Sequence, residues 1–128
     1  DTTSLITSKS LSKAGGSSIY RSAIYIGPEA KGSKASVSCD GLMLDNESRS
    51  DTIPAMEIHT DECAVGHEAK IGRISGDAIF YLMSRGISEE EARTMIVSGF
   101  ANPVSKELPL EYAVEMNNLI RLEMKGNM

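Results

Sequence analysis

The chain has 128 residues, 41% hydrophobic and 24% charged, which fits an ordinary globular domain, or two small units sharing a core. Its formal charge of -5, with no dense Lys/Arg cluster, argues against nonspecific nucleic-acid binding, which needs a basic footprint. No apolar run approaches the roughly 20 residues of a membrane helix, and residues 1–7 lack the basic end and apolar stretch of a secretory leader.

The chain begins on Asp1 rather than Met, which suggests a piece of a longer protein. Cys39 and Cys63 are too few for a disulfide framework, so a reduced, cytoplasmic protein is expected.

Residues 1–17 are rich in Ser, Thr, Lys and Gly and read as a frayed or edge segment ending in a turn. Ser18 to Ile26 is β-branched and aromatic, a strand stopped by Gly27-Pro28. Short strand candidates follow at Ala35–Cys39, Leu42–Leu44, Thr52–Ile53, Ala55–His59, Cys63–His67 and Ala69–Ile74. Turn signals separate them: Gly32, Asp40-Gly41, Asp45-Asn46, Pro54 and Thr60-Asp61. Such short strands suit a solenoid of small rungs at least as well as a sandwich. A loose echo of Ile24-Tyr25-Ile26 in Met56-Glu57-Ile58 points the same way.

Helix signals begin at Ser75, giving a β half over residues 1–74 and a helical part over 75–128. Ile79, Leu82 and Met83 fall at helical spacing, and Gly86 is placed to end that helix. Ser88 and Glu91 form a capping box opening a second helix, with Ala92, Met95, Ile96 and Phe100 inward and Asn102-Pro103 ending it. Pro109 starts a third, with a stripe of Leu110, Ala113, Val114, Asn117, Ile120 and Met124. The short connections imply an antiparallel cluster.

Every Cys and His lies in the β half. Cys39 reads either as a small buried hydrophobe or as a thiolate for sulfur or a soft metal. His67 and Glu68 are strand neighbours, which point to opposite faces unless a bend or bulge at Gly66 turns them together. A metal site from Cys39, His59, Cys63 and His67 needs strand alternation to survive the Thr60-Asp61 turn. No His-Glu-x-x-His, paired Cys-x-x-Cys, Gly-x-Ser-x-Gly or phosphate-binding loop is present, so no enzyme class is supported.

Four stretches of the β half carry a resemblance: Ser18-Ile-Tyr-Arg-Ser22, Cys39-Asp-Gly-Leu-Met-Leu44, Asp51-Thr-Ile-Pro-Ala-Met-Glu57 and Gly66-His-Glu-Ala-Lys-Ile-Gly-Arg-Ile74. Ile79 to Ala92 and Ile96 to Phe100 continue it. Together they resemble the SufB/SufD scaffold proteins of iron–sulfur cluster assembly. The resemblance implies a right-handed parallel β-helix followed by a small helical subdomain, within a longer chain. It implies pairing through the β-helix, with a SufD-like chain or a second copy, and helices that dock on a SufC-type ATPase. On those helices Phe80, Tyr81, Arg85 and Phe100 are the docking candidates. The residues matching the family's implicated Cys, Glu and His are Cys39, Glu68 and His67, and the Cys-Asp and His-Glu-Ala motifs look SufB-like. Cys63 falls off the family's cysteine position and takes no role from it. The expected cofactor is a transient iron–sulfur cluster, supplied with sulfur by a donor protein and not held by the isolated piece. The alternative is a purely structural adaptor between a dimer and an ATPase.

Overall fold

The computed structural model describes residues 1–126, as two compact units spanning Asp1–Arg73 and from Ile74 onward. The first unit holds five strands: β1 (Thr3–Ser12), β2 (Ser17–Ile26), β3 (Lys34–Met43), β4 (Arg49–Ile58) and β5 (Ala64–Arg73). Alternate strands enter alternate sheets. β1, β3 and β5 pair in parallel in one sheet, and β2 pairs in parallel with β4 in the other. This is the arrangement of a β-helix.

The sequence echo is the register itself: Ile24 stands opposite Met56 and Ile26 opposite Ile58. Side chains also bond one rung apart. Lys9 Nζ reaches Asp40 Oδ2 at 2.6 Å and Lys31 Nζ reaches Glu62 Oε1 at 2.8 Å, each pair 31 residues apart.

The strands are longer than their sequence suggests. Residues 3–12, read as a frayed or edge segment, form a full strand at the edge of their sheet, because every position has a partner on β3. Asp40-Gly41 is not a turn: Asp40 is bonded to Lys9 on the outer face, and Gly41 lies inside β3 opposite Ser10. Pro54 is not a turn either, since it sits in β4 with β2 pairing on one side. A strand with a neighbour on only one side tolerates the missing N–H.

The interior between the sheets is part apolar and part hydroxylic. Ile24, Ile26, Ala35, Val37 and Cys39 form the buried cluster, with Tyr20 and Val65 packed against it. Toward the Leu44–Ser48 turn the inward residues Ser10, Gly41 and Ser50 are small. Ser10 Oγ and Ser50 Oγ bond at 3.1 Å across the interior. A Cβ at Gly41 would stand 2.5 Å from Ser50 Oγ, so glycine is required for this close approach.

Asp45 ties two successive turns together. Its carboxylate accepts hydrogen bonds from the amides of Ala14, Glu47 and Ser48 and from the Ser48 hydroxyl. Ala14 takes φ 53, a left-handed conformation that a non-glycine residue rarely adopts, and its amide bond to Asp45 is part of what holds it there. The Ser48 amide, foremost, holds the Asp45 carboxyl below its ordinary value of 3.8.

The second unit contains α1 (Gly76–Ser84), α2 (Glu89–Glu107) and α3 (Leu110–Met124). Ser75 caps α1 by accepting from the Ala78 amide, and Gly86 follows its end at φ 88. Ser88 and Glu91 form the full capping box of α2. α2 does not stop at Asn102-Pro103 but continues to Glu107. Packing outweighs the proline: beyond it, buried Ser105 accepts from Asn117 Nδ2 of α3 at 3.2 Å. The carbonyl of Gly99, deprived of its amide partner by Pro103, belongs to an exposed residue where water can satisfy it. The buried line of α2 is Ala92, Val97, Ala101 and Ser105, while Met95, expected inward, is 52% exposed. In α3 the expected stripe is only partly covered, with Leu110 and Val114 exposed.

Gly41→Ala is expected to cost about 1–3 kcal/mol, because Ser50 must move from its bond to Ser10; urea denaturation measures it. Because the Asp45 carboxyl is held low in the fold, its stabilising bonds persist above the ordinary value of 3.8 and weaken as pH falls through the folded one. Asp45→Asn is therefore expected to lower the thermal midpoint at neutral pH, and the gap from wild type should narrow in acid.

Candidate functional site

Parallel pairing fixes which side chains share the interior. Cys39 stands between Ser8 of β1 and Ala69 of β5, on the inward face. His67 stands opposite Val37, two residues back along β5, and so faces inward as well. Cys39 Sγ lies 3.6 Å from His67 Nε2. The ring tautomer decides which of them donates. Cys39 is 4% exposed, whereas His67 is half-buried on β5, the last strand of its sheet. The imidazole thus stands beside the buried thiol on the last strand of the sheet.

Glu68 goes the other way. β5 keeps unbroken register through Gly66, with no bulge to turn His67 and Glu68 together. On the outer face Glu68 is exposed and pairs with Lys70 at 3.0 Å. That bond raises the Lys70 pKa, with Asp40 adding a smaller push in the same direction. Lys9, Asp40 and Lys70 occupy one register line across β1, β3 and β5, alternating in charge.

The wider metal set is not brought together. His59 Nε2 bonds Glu57 Oε1 at 2.7 Å, with its ring 5.4 Å from that of Tyr25. Cys63 donates its thiol to the Thr60 carbonyl at 3.2 Å. Among the described residues no three His, Cys, Asp or Glu side chains converge to hold a metal ion. The Thr60-Asp61 bend separates His59 from Cys63, as the turn signal there suggests.

In the helical unit Phe80 is 73% and Tyr81 56% exposed on α1. Arg85 donates to the Tyr81 hydroxyl at 2.8 Å and lies against its ring. Phe100 is half-buried on α2. Ile87, Met95, Arg121 and Lys125 line an open groove in this unit that no periodicity in the sequence announces.

A thiol and an imidazole in contact inside a solenoid offer soft donors to iron and sulfur, and residues 1–100 match the family model for the SufBD core domain of the SUF system for FeS cluster assembly. The chain belongs to the SufBD family. It is 57% identical over 127 residues to iron–sulfur cluster assembly SufBD family proteins of Staphylococcus aureus (strain USA300) and Staphylococcus haemolyticus (strain JCSC1435). These matches cover 99% of the chain but 27% of each curated relative, so it spans about a quarter of their length. Among the described residues no helix is long and apolar enough to cross a membrane.

The burial difference makes the two thiols of this SufBD segment distinguishable. A short iodoacetamide pulse, read by peptide mass spectrometry, is expected to label half-buried Cys63 well before Cys39. His67→Ala uncovers Cys39 and should speed its labelling.

Proposed function

We propose that the chain is part of a scaffold subunit on which iron–sulfur clusters are assembled, with Cys39 and His67 as its inward ligands. The observation that carries this reading is the 3.6 Å contact between Cys39 Sγ and His67 Nε2. Thiolate suits iron and sulfane sulfur, and imidazole suits iron. Two protein donors are enough to hold iron and sulfur while leaving positions free for release. The cluster is cargo, and the subunit is not an enzyme by itself.

His67 and Glu68 lie on opposite faces of one edge strand. A chain pairing along β5, either SufD-like or a second copy, would meet His67 on one side and Glu68 on the other. Glu68 is then a ligand supplied at the junction rather than inside the solenoid. Phe80, Tyr81 and Arg85 on α1, and Phe100 on α2, would serve the dock for a SufC-type ATPase whose cycle gates the pairing. The free thiols Cys39 and Cys63 fit work in the cytoplasm, with sulfur brought by a donor protein.

A second reading has its own support. Cys39 is buried in an apolar cluster with Ile24, Ile26, Ala35 and Val37, as an inert core residue would be. In that case the β-helix is only a pairing surface and the helices only an ATPase dock.

Anaerobic reconstitution of the full-length protein with ferrous iron and sulfide separates the two. Cys39→Ala and His67→Ala are each expected to lose most of the visible absorbance and bound iron while keeping the thermal midpoint near wild type. Equal loading in wild type and Cys39→Ala would leave the adaptor reading standing.

A further inference from the structure

Among the described residues one buried side-chain polar atom has no hydrogen-bond partner: Thr52 Oγ1. A buried hydroxyl left unpaired destabilises a fold, so a fold that keeps one calls for a reason. Thr52 lies on the inward face of β4, opposite Tyr20 of β2, and Tyr20 packs against the cluster that contains Cys39.

The level of Thr52 in the interior follows from the turn at Leu44–Ser48. Ser12, level with Met43, bonds the Arg49 carbonyl, and Ser10, level with Gly41, bonds Ser50. β4 therefore leads away from the turn along the path by which β3 enters it, and Gly41 faces Ser50 at close range. Moving two residues away from the turn along both strands, to the next inward pair, brings Cys39 level with Thr52. Ser50, next along the inward face, is already bonded to Ser10. Thr52 has no such neighbour to satisfy it. The interior therefore holds a thiol and an imidazole on one sheet and an uncommitted hydroxyl on the other.

We propose that Thr52 is a positioning residue of this site, its hydroxyl kept free to donate a hydrogen bond to the sulfur atom that binds beside Cys39. This rests on the reading of Cys39 and His67 as cluster ligands. A hydroxyl donor facing an anionic sulfur spreads its charge and fixes its direction without adding a strong iron ligand. It steadies the cargo and still lets it leave. The β-branched side chain fixes χ1 from within the strand, so the hydroxyl is aimed in advance.

Stability and function separate at Thr52. Thr52→Val keeps the shape and deletes only an unpaired polar atom, so the thermal midpoint should hold or rise. In the full-length protein, reconstituted anaerobically with ferrous iron and sulfide, Thr52→Val should release iron to a ferrous chelator about tenfold faster than wild type. Thr52→Ser, which restores the hydroxyl, should recover most of that difference.

Release from Thr52→Val at the wild-type rate, with loading lost in Cys39→Ala, overturns the role of Thr52 and leaves the ligand assignment intact. A lowered thermal midpoint in Thr52→Val, restored by Thr52→Ser with release unchanged, also overturns it, because the hydroxyl then serves a structural water. Normal loading in Cys39→Ala overturns both readings together.

Discussion

Parallel rung-on-rung pairing is the constraint on which the β unit depends. Once Thr3 stands opposite Lys34 and Lys34 opposite Ala64, every side chain of three strands is assigned to the interior or to solvent. A slip of one residue would exchange the two faces. Cys39 and His67 meet, and Glu68 turns away, because of that assignment. The outward charges Lys9, Asp40 and Lys70 fall on one line of the same register. Their alternation in sign suits the pairing and opposes a slipped one.

The interior is not a uniform hydrocarbon core. At one end Ile24, Ile26, Ala35 and Val37 fill it, and at the other Ser10, Gly41 and Ser50 leave it narrow and hydroxylic. Cys39 sits where the two regions meet. An apolar lining excludes water from a thiol, while nearby hydroxyls offer hydrogen bonds to a charged sulfur. On the proposed scaffold function, that boundary suits cargo that must be held and then released. The outer face in turn carries exposed apolar side chains such as Leu5, Ile19 and Ile53, opposite to the usual alternation. Alternation of hydrophobicity was therefore a poor guide to which way these strands face.

The helical boundaries were legible because capping is local chemistry. Ser75, Ser88 with Glu91, and Gly86 act through bonds within one turn, and each stands where its sequence implies. Pro103 misled for the complementary reason: its effect on α2 was offset by contact with α3, through Ser105 and Asn117. Asp40-Gly41 misled in the same way, since partners on other rungs hold it in a strand, and Pro54 misled because β4 has a neighbour on only one side and tolerates the missing N–H. Thr52 carried no signal at all, because an unpaired hydroxyl is defined only by what fails to surround it.

The sequence by itself determined the order of a β half and a helical part, the caps of the first two helices, and the family, and it put forward Cys39, His67 and Glu68 as candidates. These rest on residue type, short-range bonding and motif, all of which are read along the chain. Only the tertiary structure decided that residues 3–12 are a strand, that Cys39 is covered while His67 reaches the edge, and that Glu68 lies on the other face. Each of those is set by what stands one rung away, some thirty residues along the chain, and a strand's pattern alone does not name its partner.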